Sequence, residues 1–108
     1  MGSSRYYQLE MKMQVMELVK WRSQKNVSDA DMVKAVHGIL HDLETLPGFG
    51  SQVLYKDADG VWVDVYLWDS EGEAIASNDL MADKPSFQQL MSLIDLSSVT
   101  IEFLYPTT

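Results

Sequence analysis

The sequence predicts an α+β chain with the element order β-α-β-β-α-β, in which a four-stranded antiparallel sheet carries its helices on one face. Two observations lead there. The apolar period changes along the chain, from a run with apolar residues at both parities to a helical spacing and then to strict alternation. In addition, "FGSQVLY" and "VWVDVYLW" flank the short polar stretch "KDADG", which reads as a β-hairpin.

Each element has its own signal. "MKMQVMELVKWR", residues 11–22, is apolar at odd and even positions, as suits an interior strand. Ser28, with Asp31 three residues on, approximates a capping box, and Met32, Val36, Ile39, Leu43 and Leu46 then form one continuous helical stripe that Pro47 and Gly48 end. The hairpin follows. Ser70 with Glu73 repeats the capping pattern, and Pro85 divides the second helical region into two pieces, "SEGEAIASNDLMAD" and "SFQQLMSLID". "SSVTIEFLY" is β-branched and aromatic and supplies the last strand. This order is the split-βαβ, or ferredoxin-like, arrangement.

Composition bounds the function. A chain of 108 residues, 46% hydrophobic, has the size of one small domain, expected over residues 11–106 behind a flexible segment at 1–10. Sixteen acidic against eight basic residues give a net charge of −8, which disfavours nucleic acid and anionic membrane surfaces as partners. The absence of cysteine removes disulfides, thiolate metal sites and thiol nucleophiles. With no apolar run long enough to span a bilayer and no signal-peptide core, the chain reads as soluble and cytoplasmic. No glycine-rich phosphate loop or Ser-His-acid constellation stands out, so no cofactor is expected.

The third strand raises the functional question. In "DGVWVDVYLWDS", Val61, Val63, Val65 and Leu67 alternate with Trp62, Asp64, Tyr66 and Trp68. Compact aliphatics suit close helix packing, so the aromatic set is expected on the bare face of the sheet. Three large aromatics there would need cover, and a second sheet related by a two-fold axis gives a homodimer with a space between the sheets. Glu17 alternates with Val15, Val19 and Trp21, and beneath the helices it would be an uncompensated charge, so it too is expected on the bare face beside Asp64. Two carboxylates in a partly dry aromatic pocket form a candidate acid-base pair. Glu102 is expected at an edge in solvent.

The order and spacing of "LPGF", "DGVWVDVYLWDS", "EGEAIAS" and "MSLIDLSSVTIEF" resemble the dimeric α/β barrel superfamily, which includes the antibiotic-biosynthesis-monooxygenase-like proteins. The resemblance covers residues 13–105 and implies the fold. It also implies an aromatic cavity in which Trp68 matches the family's substrate-facing tryptophan, while Asp64 stands where cofactor-independent monooxygenases carry an asparagine. An ionised aspartate accepts hydrogen bonds and repels anions, so the departure speaks against an anionic substrate. Haem-degrading relatives add a histidine on or after the second helix, and this chain has none beyond His41.

The expected function is a small-molecule-binding protein for an apolar or aromatic metabolite. Either it is a monooxygenase-, isomerase- or cyclase-like enzyme with Asp64 and Glu17 as acid-base groups and Trp62, Tyr66, Trp68 and Trp21 as substrate contacts, or it is a non-catalytic binder or sensor of a lipid-like or aromatic ligand. A third arrangement has the aromatics fill the dimer core with no pocket left. His37 and His41, at i and i+4 with Glu44 nearby, fall on the outer flank of the first helix, where a solvated face is expected and no metal. The methionines in the periodic segments are expected to fill the core.

Overall fold

The computed structural model describes residues 14–107; the expected flexible segment at 1–10 and the first residues of the opening strand lie outside them. The chain forms β1 (Val15–Ser23), α1 (Asp29–Leu43), β2 (Phe49–Lys56), β3 (Trp62–Trp68), α2 (Glu71–Met81), α3 (Pro85–Leu93) and β4 (Ile94–Leu104). The four strands order as β2-β3-β1-β4, every neighbouring pair antiparallel, so β1 and β3 are central as the sequence predicts.

Local chemistry fixes the element ends. The Ser28 hydroxyl accepts the N–H of Asp31 at 3.1 Å and caps α1, whose Met32, Val36, Ile39 and Leu43 are buried. Ser70 caps α2 by accepting the Glu73 N–H at 3.2 Å. Pro85 occupies the first turn of α3, where no intrahelical N–H is needed. In the hairpin, the Asp57 carboxylate accepts the N–H groups of Asp59 and Val61, both at 2.9 Å, and Gly60 takes the φ of +84° that the turn requires.

β4 starts at Ile94, directly after α3 and three residues earlier than expected, and it is not regular. Lys20 pairs with Thr100 but Arg22 pairs with Asp95, so β4 advances five residues while β1 advances two. The displaced segment is pinned on both sides. Ser97 N–H donates to the Asp95 carboxylate at 3.1 Å, and Arg22 N–H donates to the Ser98 hydroxyl at 2.8 Å.

The structure overturns the expected use of the two sheet faces. Trp62, Asp64, Tyr66 and Trp68 are buried against the helices, and Val63, Val65 and Leu67 turn to the open side. The acids belong to the same inner face: Glu17 is 5% exposed and Asp64 is 0% exposed. The premise that a carboxylate under the helices lacks compensation fails because its neighbours on the sheet donate to it. Trp68 Nε1–H donates to Glu17 at 2.9 Å, and Tyr66 and Gln52 both donate to Asp64. The aromatics fill the space between sheet and helices that valines would leave open. Trp68 packs edge-on against Phe49 at 5.5 Å and lies beside Tyr66 at 6.3 Å.

By register, the open face carries Met16, Leu18 and Lys20 from β1, Val53 and Tyr55 from β2, Val63, Val65 and Leu67 from β3, and Glu102 and Leu104 from β4. It is largely apolar, with Val53 and Tyr55 about half exposed. Glu102 lies there, opposite Leu18 on the edge strand, away from the buried acids.

Candidate functional site: an aromatic and acidic cavity under the helices

A cavity of about 260 Å³ lies between the sheet and the helices of this one chain, not between two sheets. β1 and β3 contribute its floor with Glu17, Val19, Trp21, Tyr66 and Trp68, and the helices roof it with Leu43, Ser77, Met81, Leu90 and Met91. The displaced part of β4 supplies Leu96 and Val99, and the exposed lining residues Asn78, Leu96 and Ile101 mark the mouth. The split of the second helical region and the irregularity of β4 thus both shape one opening.

Antiparallel pairing of β1 with β3 assembles the polar groups. Glu17 stands opposite Tyr66 and Val19 opposite Asp64, so the two acids are diagonal neighbours on one face, a relation of roughly 7–8 Å between backbones. Glu17 touches the cavity; Asp64 is not among the lining residues and is tied to it through Tyr66, a lining residue whose hydroxyl donates to Asp64. Burial pushes the Glu17 carboxyl above the usual range, against the lowering effect of the Trp68 N–H, and the nearby Asp64 charge adds to the rise. Burial also raises Asp64, to about 6, although Tyr66 and Gln52 both stabilise its ionised form. Tyr66 is held well above its normal value by burial and by the Asp64 charge, so its hydroxyl stays protonated.

Of the residues singled out from sequence, Glu17, Trp21, Tyr66 and Trp68 line the cavity, and Asp64 is one hydrogen bond away. Trp62 is elsewhere. It lies at the hairpin end of β3, donates from Nε1 to the Ser23 hydroxyl at 3.0 Å, and carries Lys56 Nζ 4.9 Å above its ring. Sequence reasoning missed Ser77, Asn78, Phe87, Leu96 and Ile101. Ser77 and Met81 at i and i+4 on α2 carried a usable signal, a small polar residue inside a helical face, but the low amphipathicity of "EGEAIASNDLM" hid it. His37, His41 and Glu44 are exposed, and no cluster of metal-ligating residues occurs among the described residues.

No family model matches the chain, and no curated protein matches it. Solved structures do. SnoaB, a cofactor-independent oxygenase from Streptomyces nogalater, is similar with a TM-score of 0.70 at 12% identity, over 88% of this chain and 94% of that one. A monooxygenase from Streptomyces coelicolor in complex with nanaomycin D gives 0.62 at 22% identity over 90% of each chain. A conserved protein from Methanosarcina mazei gives 0.68 at 14% identity over 94% and 99%. At these identities the likeness is one of fold. The chain has a ferredoxin-like fold, shared with these structures and with antibiotic-biosynthesis-monooxygenase-like proteins.

Proposed function

We propose that this chain binds a small apolar or aromatic metabolite in the cavity under its helices and transforms it by carboxylate acid-base chemistry without a cofactor, in the manner of a monooxygenase, isomerase or cyclase. One observation carries the reading: a buried carboxyl, Glu17, opens onto an aromatic cavity with a second buried acid, Asp64, linked to the same cavity through Tyr66. Glu17 is the group that touches the ligand and takes or returns a proton. Asp64 acts through Tyr66, receiving that hydroxyl's proton as the tyrosine oxygen accepts one from the ligand. Trp21 and Trp68 hold the ring system in place. The cofactor-independent activity of SnoaB and the nanaomycin D complex support a small-molecule role for this fold.

The apolar outer face of the sheet favours cover by a second copy of the chain, in a homodimer whose contact is made by Leu18, Val53, Val63, Val65 and Leu67. A second reading, a non-catalytic binder or sensor of a lipid-like or aromatic ligand, is favoured by the fact that both acids already accept internal hydrogen bonds.

Native mass spectrometry before and after denaturation, followed by turnover of any released compound, tests the proposal. Catalysis predicts a dimer with releasable mass and turnover that Glu17→Gln abolishes and Asp64→Asn reduces. Saturable binding without product establishes the binder instead. Turnover unchanged in both variants refutes the acid-base mechanism.

A further inference from the structure

The polar groups that line the cavity have spent their protons inside the chain. Tyr66 O–H donates to Asp64, Trp68 N–H to Glu17, and Ser77 O–H to the Ala74 carbonyl at 2.6 Å. What these groups leave for a ligand is lone pairs: the Glu17 carboxylate, the Tyr66 oxygen and the Ser77 oxygen. Only Asn78, at the mouth, offers both kinds. Trp21 Nε1–H, in the wall, is buried and has no partner among the described residues.

Charge points the same way. None of the lining residues is Lys, Arg or His, and the salt bridge among the described residues, Lys56 with Asp29, is elsewhere. The charged or titratable groups on the inner face of the sheet near Glu17 are Asp64 and Tyr66 from β3; β4 presents Val99, Ile101 and Phe103 to it, and Lys56 of β2 is at the far end over Trp62. Glu17 is therefore a buried acid with a hydrogen bond from Trp68 but no counter-charge among the described residues. Around it stand the rings of Trp21, Tyr66, Trp68 and Phe87, whose faces attract cations. The wall toward the mouth, Leu90, Met91, Ile94 and Leu96, is apolar.

We infer that the ligand is a lipophilic primary amine bound as its ammonium ion, with the charged head against Glu17 among the aromatic rings and the apolar body along the wall toward Leu96. The inference rests on the reading of this cavity as a ligand site and names the class that it takes. The ammonium brings several donors to the Glu17, Tyr66 and Ser77 oxygens and supplies the counter-charge that Glu17 lacks among the described residues. With it bound, Glu17 stays ionised and is the base of the pair. The net charge of −8 attracts such a cation from solution and repels the matching acid.

The test uses three isosteric probes in two lengths: 2-phenylethylamine and 4-phenylbutylamine, the corresponding alcohols, and the corresponding carboxylates. Binding to the full chain is measured by calorimetry and tryptophan fluorescence at pH about 7.5. The amine is expected to bind at least about tenfold tighter than the alcohol, and the carboxylate at least about tenfold weaker than the alcohol. In Glu17→Gln, which keeps the acceptor for Trp68, the amine-to-alcohol ratio is expected to fall to about one. An alcohol that binds wild type as tightly as the amine overturns the inference while leaving the cavity a ligand site. A preference for amine that survives Glu17→Gln also overturns it. If none of the probes binds, the cavity reading itself falls and takes the inference with it.

Discussion

Asp64→Asn isolates the energetic consequence of burying an acid in this face. Asp64 is completely buried, and its pKa stands at about 6 against an ordinary 3.8. The folded state therefore holds the proton more tightly than the unfolded state. A raised folded pKa contributes stability that is fully present below 3.8 and lost as pH rises through about 6. At about 1.4 kcal/mol per pH unit, the gap corresponds to about 3 kcal/mol. Asparagine at position 64 removes the titration and keeps an oxygen for Tyr66. A change in the hydrogen bonds of the neutral side chain shifts the stability of the variant by a constant amount, while loss of the Asp64 charge also lowers the Glu17 pKa and adds to the slope in the same direction. The assay is urea unfolding of both proteins at a series of pH values from about 4 to about 7.5, at one protein concentration so that any assembly contributes equally. The stability of the variant minus that of wild type is expected to climb by about 2–3 kcal/mol across that range. A difference that stays flat refutes the reasoning, because it means that Tyr66 and Gln52 offset the whole cost of burial.

Tyr66→Phe deletes a donor to the Asp64 carboxylate, so the Asp64 pKa is expected to move above about 6 and the variant to lose roughly 1–3 kcal/mol at pH 7.5 but less at pH 4.5; carboxyl carbon NMR and urea unfolding check both. Trp68→Phe does the same to Glu17, whose pKa rises further once its N–H donor is gone, with a stability loss that is again larger at neutral than at acid pH. Val65→Lys, at the centre of the open face between Leu18 and Val53, is expected to weaken self-association by more than about thirtyfold in light-scattering measurements while far-UV circular dichroism is unchanged. Ser28→Ala removes the α1 cap and is expected to cost about 1 kcal/mol by urea unfolding.

The elements were legible because they depend on local pattern. The Met32 to Leu43 stripe, the Ser28 and Ser70 caps, the hairpin around Gly60 and the break at Pro85 all appear where their spacing put them. So did the adjacency of Glu17 and Asp64, which follows from topology and alternation alone. The side of the sheet they occupy was not legible. Alternation fixes which residues share a face, but both faces of β3 are apolar, and Val63, Val65 and Leu67 would pack under helices as readily as Trp62, Tyr66 and Trp68. What decides is the hydrogen-bonding that the aromatics bring with them. Trp68, Tyr66 and Gln52 satisfy the buried acids, and that pairing across strands is invisible until the register is known. The irregular start of β4, with Asp95 paired to Arg22 and the Ser98 hydroxyl accepting from the Arg22 N–H, was hidden for the same reason.

The three tryptophans offer the most direct test of the central claim, that the ligand site lies under the helices beside Glu17. Each contributes one indole N–H resonance to a nitrogen-proton correlation spectrum, assignable by single Trp→Phe variants. On titration with 2-phenylethylamine, the Trp21 and Trp68 signals are expected to shift together along one saturable curve while Trp62, outside the cavity and tied to Ser23, stays in place. Saturable binding that moves Trp62 and leaves Trp21 and Trp68 still would contradict the account.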